Sequence, residues 1–227
     1  MTRVAFIHTG AVVIPTFAEL ANNHLPGVEV QHLLDDKIVA DLGLGAESSR
    51  IADRLAALGR AAAAAGSSAV IFSCSSISGY AEELERQLGL PVLRIDEAMA
   101  DRAVGAGARI AVIATLPTTV RPTAALLRER AERAGRTVEL TELVVDGAFA
   151  AVSSGDRTTH DRLVGAAITA AAESHDVIVL AQASMAGAAG AVSVGVEVLT
   201  SPELGMRRAA EVLGLAGAPM IGGEAPS

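Results

Sequence analysis

Short apolar runs alternate along this chain with longer segments in which apolar residues recur every three or four positions. Short runs rich in Val and Ile are typical of buried strands, and the longer spacing is typical of helices with one apolar face. The short runs predict strands at Val4–His8, Val28–Leu34, Ala69–Ser73, Pro91–Ile95, Ile110–Thr115, Val138–Val144, Val177–Ala181 and Val194–Leu199. The longer segments predict helices at Ile14–Asn23, Glu47–Ala65, Ile77–Leu88, Glu97–Val104, Pro117–Ala134, Thr159–Glu173 and Pro202–Leu213. Strands that alternate with helices indicate an α/β fold with parallel sheets.

The two halves of the chain carry similar segments at similar spacings. VAFIHT at 4–9 resembles IAVIAT at 110–115, and IFSCSS at 71–76 resembles VLAQAS at 179–184. In the first half 65 residues separate Thr9 from Cys74, and in the second half 67 separate Thr115 from Gln182. Ligands bind at the carboxyl ends of strands in open parallel sheets. Two such lobes facing each other would place these four residues around one cleft.

Composition and net charge indicate which kinds of binding partner and which cellular environment to expect. The chain has 227 residues and a net charge of −8, and it contains no run rich in Lys and Arg, so nucleic acid and anionic membranes are not expected partners. The single cysteine cannot form an internal disulfide, which favours a reducing cytoplasm. No apolar stretch reaches the ~18 residues of a membrane helix. The Gly- and Pro-rich segment 214–227 is predicted to be a loose tail.

Cys74 is the leading candidate for chemistry. It follows a predicted strand and precedes the predicted helix at Ile77–Leu88. The dipole and free N–H groups of a helix start stabilise a thiolate, which can act as a base or as a nucleophile. The alternative interpretation is a small buried apolar side chain, since free cysteines are often found in cores.

Hydroxyl groups cluster at two strand-to-helix turns. Ser75 and Ser76 follow Cys74, while Thr118 and Thr119 follow Pro117 at the next such turn. Hydroxyls and N–H groups at a helix start can hold a carboxylate. Ordinary capping of the helices is the alternative role.

Other polar residues end the remaining strands. His8 and Thr9 end the first strand, and His8 could assist proton transfer or be structural. Gln182 and Ser184 occupy the loop that mirrors the Cys74 loop, where Gln182 can only form hydrogen bonds. Three further residues are expected to have structural or solvated roles. Asp96 is predicted to cap a helix, Asp146 to lie in a turn, and His160 with its neighbour Asp161 to be solvated.

Three segments together resemble the aspartate/glutamate/hydantoin racemase superfamily, which also contains arylmalonate decarboxylases and maleate isomerases. They are FSCSS at 72–76, ATLPTT at 114–119 and LAQASM at 180–185, and the likeness covers about Val4 to Leu213. The resemblance implies two pseudo-symmetric Rossmann-like lobes with short parallel sheets and an active site between them. It also implies catalysis without pyridoxal phosphate or a metal, and it allows a homodimer. We assign 1–97 plus 205–227 to the first lobe, which carries Cys74, and 98–204 to the second.

In the racemases of this superfamily, two cysteines face each other across the substrate. Cys74 matches the first, whereas the position of the second is Gln182, and Ser184 stands where glutamate racemases have a His. A symmetrical two-thiol racemase is therefore not expected. His8 lies near the position of an Asp in glutamate racemases and is a candidate second base. The positions matched to carboxylate binding are Ser75, Ser76, Thr118 and Thr119.

The resemblance implies a racemase- or epimerase-like isomerase acting on a small carboxylate-bearing carbon acid. The predicted catalytic residues are Cys74 and His8. The predicted substrate-binding residues are Thr9, Ser75, Ser76, Thr115, Thr118, Thr119, Gln182 and Ser184. A decarboxylase or a cis–trans isomerase that needs one thiol is an alternative within the superfamily. A binding protein that has lost catalysis is the alternative from another class.

Overall fold

The computed structural model describes residues 2–215, which form two parallel sheets of four strands each. The strands are β1 (Arg3–His8), β2 (Glu29–Leu34), β3 (Ala69–Phe72), β4 (Val92–Arg94), β5 (Arg109–Ala114), β6 (Glu139–Val144), β7 (Val177–Leu180) and β8 (Glu197–Thr200). The α-helices are α1 (Ile14–His24), α2 (Ile38–Gly43), α3 (Ser48–Ala64), α4 (Ala81–Leu88), α5 (Glu97–Ala106), α6 (Pro117–Arg133), α7 (Ala148–Ser153), α8 (Arg157–Ala171), α9 (Ala186–Ala191) and α10 (Ser201–Val212). Short 3-10 helices occupy Ala11–Val13, Ser75–Tyr80 and Ala183–Met185.

The two sheets repeat one topology. Their strand orders are β2-β1-β3-β4 and β6-β5-β7-β8, so each strand of the first sheet has a counterpart in the second. All the pairings are parallel, which brings the carboxyl ends of the strands of each sheet to one edge. The prediction of an α/β fold with two pseudo-symmetric lobes is confirmed.

Each central strand is buried on both faces. Along β1, Ala5 and Ile7 belong to one apolar cluster, while Val4 and Phe6 belong to the cluster on the opposite face. Strand β5 divides in the same way between two clusters of the second sheet. Successive side chains of a strand point to opposite faces, so a strand covered by helices on both sides must be apolar throughout. This explains why the sequence shows continuous apolar runs.

The last helix returns to the first sheet. Met206 and Ala209 of α10 pack in the same cluster as Phe6 of β1, whereas Met99 of α5 packs with the second sheet. A side chain at Gly205 would overlap the carbonyl oxygen of Ile95, so glycine is what lets α10 approach closely. The residue boundaries of the lobes stay a prediction.

The structure adds short helices that the sequence pattern did not predict. These are α2, α7, α9 and the 3-10 helices, each too short to show a helical period. The predicted helix at Ile77–Leu88 is in fact the 3-10 helix Ser75–Tyr80 followed by α4. Of the predicted tail, residues 216–227 lie outside the described residues. Across the described residues, none of the helices combines the length and the apolarity needed to cross a bilayer.

Candidate active site

A cleft of about 920 Å³ opens where the loops after the strands of the two sheets meet. Both lobes line it, since Cys74 follows β3 of the first sheet and Gln182 follows β7 of the second. The predicted site residues on its wall are Thr9, Cys74, Ser75, Ser76, Thr118, Thr119, Gln182 and Ser184. His8 and Thr115 are the two predicted residues that do not line it.

Cys74 lies in extended backbone at the start of the 3-10 helix Ser75–Tyr80, and its side chain is partly exposed. The side chain of Thr9 and both the N–H and the side chain of Ser76 lie close to the sulfur and oppose the rise in its pKa. Donors of this kind favour a thiolate over a thiol. The sulfur is therefore held in place at the wall of the cleft by groups from two different strand ends.

Burial nonetheless raises the pKa of the Cys74 thiol above its ordinary value. Desolvation disfavours the charged thiolate and outweighs the hydrogen bonds from Thr9 and Ser76, and the nearby charge of Asp96 acts in the same direction as burial. This corrects the expectation from the sequence that a helix start would stabilise the thiolate. The element that follows Cys74 is a 3-10 helix rather than the start of an α-helix.

Gln182 occupies the position in the second lobe that corresponds to Cys74. Its Oε1 accepts hydrogen bonds from the backbone N of Thr115 at 2.6 Å and from the Thr115 hydroxyl at 2.8 Å. A backbone N–H can only donate, so the oxygen end of the amide must face Thr115. The NH₂ end is consequently the end that Gln182 presents to the cleft. Thr115 was predicted to bind substrate, but the structure places it outside the wall, where it holds the Gln182 amide.

Two hydrogen bonds join the lobes beside Cys74. The Ser75 hydroxyl donates to the carbonyl oxygen of Ala181 at 3.2 Å, and the Ser76 and Thr119 hydroxyls are 3.3 Å apart. Both bonds are buried, so they fix the Cys74 loop against the first turn of α6 and against the Gln182 loop. The predicted carboxylate role of Ser75 must therefore rest on its backbone, because its hydroxyl already has an acceptor.

Thr118 lies on the wall of the cleft, in the first turn of α6. Among the described residues its buried Oγ1 has no hydrogen-bond partner. The first turn of a helix also supplies N–H groups and the positive end of the helix dipole. A carboxylate bound at this turn would meet these N–H groups, and it would reach the Thr118 hydroxyl once that side chain turns toward the cleft.

His8 is fully buried behind the wall of the cleft. Its Nδ1 lies 2.7 Å from the Ser73 hydroxyl and its Nε2 lies 2.9 Å from His32 Nδ1. Burial, and then the neighbouring His32, lower the pKa of His8 from 6.5 to about 4. Because both ring nitrogens are occupied and the ring does not line the cleft, the structure gives His8 a supporting position behind Ser73. This corrects its predicted role as the second base.

The structure also places three residues for which the sequence predicted structural or solvated roles, namely Asp96, His160 and Asp146. The Asp96 side chain does not cap α5 but accepts a hydrogen bond from the Ser78 hydroxyl at 2.8 Å in a fully buried position. His160 is buried rather than solvated, and its Nδ1 lies 2.7 Å from Asp161. Asp146 lies in a turn as predicted.

Within residues 2–215, no group of three or more His, Cys, Asp or Glu side chains is placed to hold a metal ion.

The short helices supply a part of the wall that the sequence pattern did not predict. This part comes from the 3-10 helix Ala11–Val13, from α2 and from α7, and it includes Val12, Val13, Val39, Ala40, Phe149 and Val152. Asp36, just before α2, also lines the cleft. The exposure of the apolar side chains Val12 and Phe149, which only the structure reveals, is typical of a binding surface.

Comparison with known proteins places this geometry in context. The sequence profile of a family described as Asp/Glu/hydantoin racemase matches residues 7–209. A comparison with curated proteins finds no match.

Solved structures with the same fold include an allantoin racemase from Klebsiella pneumoniae, with 19% identity, a TM-score of 0.68 and coverage of 96% of this chain and 91% of that chain. A glutamate racemase from Bacillus anthracis has 14% identity and a TM-score of 0.71, with coverage of 95% and 83% respectively. An arylmalonate decarboxylase has 17% identity and a TM-score of 0.61, with coverage of 95% and 94%. At these identities the likeness shows a shared fold.

Proposed function

The chain belongs to the Asp/Glu/hydantoin racemase family, and from this premise we propose that it is an isomerase of the racemase or epimerase type. It acts without a resident cofactor on a small carboxylate, and Cys74 transfers the proton at the α-carbon. The observation that carries the proposal is the pairing of Cys74 with Gln182 across one cleft shared by the two lobes. The Cys74 side chain can gain and lose a proton, whereas the Gln182 amide can only form hydrogen bonds.

Removing an α-proton is difficult because the carbanion that forms is unstable in water. Donors that already point at the developing negative charge lower this barrier. The Thr118 hydroxyl and the N–H groups at the start of α6 supply such donors on one lobe, and the NH₂ of Gln182 supplies another. The carboxylate binds at the start of α6, and the charge that spreads onto its oxygens on deprotonation stays within reach of these groups.

The thiol of Cys74 takes up the proton that leaves the α-carbon, and water supplies the proton that replaces it. The small fraction of Cys74 present as thiolate removes the α-proton, and the electron pair stays on the substrate as an enolate. A thiol with a raised pKa gives a stronger base once ionised, which suits a weak carbon acid. On the opposite face the proton comes from water, because the amide of Gln182 cannot supply one. The resulting hydroxide takes the proton from Cys74 and restores the thiolate.

Decarboxylation is the second candidate, and the raised pKa of Cys74 favours it. In that reaction the bond to the leaving carboxylate breaks, CO₂ departs, and the electron pair remains on the α-carbon. A thiol that is already protonated then delivers its proton to one face, and water reprotonates the thiolate. This reaction needs one acid group, which is what the cleft provides.

The direct test is incorporation of deuterium from D₂O at the α-carbon of a panel of amino acids, hydantoins and malonates, followed by NMR. We expect exchange with at least one substrate, and we expect Cys74→Ala to reduce its rate by about 10³-fold, because a positioned acid or base contributes 10²–10⁴-fold. Release of CO₂ from a malonate identifies the decarboxylase instead.

Ser67→Ala is the matched control. Ser67 is a buried small residue that precedes the same strand, lies away from the cleft and has a hydroxyl without a partner among the described residues. It should keep the wild-type rate. Absence of both exchange and CO₂ release across the panel would instead support the binding protein that has lost catalysis.

A further inference from the structure

The cleft carries almost no charge. Among the lining residues that the structure describes, Asp36 is the only one with a charged side chain, and none is Lys, Arg or His. Residues 216–227 contain no basic side chain either. A ligand in this cleft therefore meets hydroxyl and amide donors but no side-chain cation.

Two arginines near the cleft already have partners. Arg54 binds the carboxylates of Asp35 and Asp41, just before and within α2. Arg157 donates from Nη1 to the carbonyl oxygen of Ser184 at 2.6 Å. Neither arginine is part of the wall. The charge of Arg54 is balanced by two carboxylates, and the guanidinium of Arg157 does not line the cleft.

The apolar part of the wall is separate from the donors. Val12 lies in the 3-10 helix after β1, Val39 lies in α2, and Phe149 and Val152 lie in α7. Val12 is 52% exposed and Phe149 is 42% exposed, although both are large apolar side chains. The hydroxyl and amide donors, in contrast, follow the inner strands β3, β5 and β7. A ligand that reaches both parts must combine one anionic end with one apolar end.

Electrostatics decides which ligands fit. A second, distal carboxylate would lose its hydration beside the apolar wall, with no cation to compensate and with Asp36 repelling it. An apolar group in the same place would instead remove Phe149 and Val12 from water, which is favourable. Building on the function proposed above, we infer that the substrate carries its carboxylate at the reacting carbon and an apolar side chain. Dicarboxylates with a distal carboxylate, such as aspartate and glutamate, should bind more weakly than monocarboxylates of the same length.

Binding of two simple ligands tests this without requiring catalysis. Hexanoate and adipate have the same six-carbon chain, with a methyl group at the far end in one and a carboxylate in the other. NMR titration of the wild-type protein should show that hexanoate binds at least tenfold more tightly than adipate. Equal or tighter binding of adipate, or binding of neither ligand, would overturn the inference.

A charge placed on the apolar wall should reverse the preference. Phe149→Arg should lower the ratio of hexanoate affinity to adipate affinity at least tenfold. Leu44→Arg is the matched control, because Leu44 is 87% exposed, follows α2 and does not line the cleft. It adds the same charge to the protein and should leave the ratio unchanged. An equal change in both variants would show a general effect of charge and would overturn the role given to the apolar wall.

Ligand binding and α-proton exchange, measured together, distinguish a failure of the substrate class from a failure of the proposed catalysis. If hexanoate is preferred but no substrate exchanges its α-proton, the substrate class stands and the catalytic proposal fails. If aspartate or glutamate exchanges its α-proton through Cys74, catalysis stands and the substrate class is wrong.

Discussion

The Cys74 loop and the Gln182 loop have the same backbone and different chemistry. Cys74 has φ −133° and ψ 125°, and Gln182 has φ −132° and ψ 136°. Each follows a central strand and precedes a 3-10 helix. Each also receives a hydrogen bond from the threonine beyond the neighbouring strand, Thr9 for Cys74 and Thr115 for Gln182. The repeat preserves the position of the functional group, and only the side chain decides whether it can transfer a proton.

A second difference lies behind the loops. His8 ends β1, while the corresponding residue of β5 is Ala114. The His8 ring fills the space behind Ser73 and contacts His32, so the first lobe has a titratable group in its core next to the Cys74 loop. The lobes thus differ in two ways. The first lobe carries a thiol where the second carries an amide, and it has the titratable His8 where the second has Ala114.

The largest expected effect comes from making the two loops chemically alike. Wild-type protein should exchange the α-proton faster than it inverts the α-carbon, because a thiol is present on one face only. Gln182→Cys supplies a thiol on the other face, where Thr115 can donate to it. We expect the rate of inversion to rise by about 10²-fold or more, the usual contribution of a positioned acid or base. Chiral chromatography together with deuterium exchange measures both rates.

Ser184→Cys is the control for that substitution. It adds a thiol to the same loop, two residues beyond the position equivalent to Cys74. Inversion should not increase in this variant. An unchanged rate of inversion in Gln182→Cys would show that matching backbones do not make the positions functionally equivalent.

The next effect concerns stability and His8. The folded pKa of about 4 lies below the ordinary 6.5, so on acidification the unfolded chain binds a proton before the folded protein does. The contribution of His8 to the free energy of unfolding should therefore be fully present well above pH 6.5 and be lost as the pH decreases to about 4. The loss from His8 is as much as about 3 kcal/mol. Urea unfolding between pH 4 and pH 8 measures it.

His8→Gln removes the titrating group while keeping a polar side chain of similar size. The variant should have a flatter dependence of unfolding free energy on pH, whatever its absolute stability. His32, whose pKa burial also lowers, accounts for the dependence that remains. A slope as steep as that of the wild type would disprove the assignment to His8.

The smallest expected effect tests Thr115 as the residue that orients Gln182. Thr115→Val keeps the shape and the backbone N–H but removes one of the two hydrogen bonds to Oε1. One such bond contributes about 1 kcal/mol, so kcat should fall about fivefold with little change in KM. Thr141→Val is the control. Thr141 lies on the outer strand β6, away from the cleft, and its hydroxyl forms a hydrogen bond with His175. An equal fall in kcat in both variants would count against the orienting role.

Much of the fold could be predicted from the pattern of apolar residues. The eight strands appear where the short runs are, because strands buried on both faces must be continuously apolar. The matched segments around Cys74 and Gln182 also predicted the repeat, which the identical strand orders confirm. The short helices α2 and α7 could not be found in this way, because six residues do not define a period.

The candidate site was predicted less completely. Cys74, Thr118 and Gln182 line the cleft as the turn positions indicate, because loops at the carboxyl ends of parallel strands meet at one edge. The sequence could not reveal that His8 faces away from the cleft. It also could not reveal that burial would dominate the pKa of Cys74.

The sequence by itself determined the two-lobed α/β fold, the single thiol and its replacement by Gln182 in the second lobe. These follow from residue identity and from local periodicity, both of which can be read along the chain. Tertiary structure alone decided which way the Gln182 amide points, how strongly Cys74 is desolvated and which apolar side chains complete the cleft. Each of these depends on contacts between residues far apart in sequence, such as the 67-residue separation of Thr115 and Gln182.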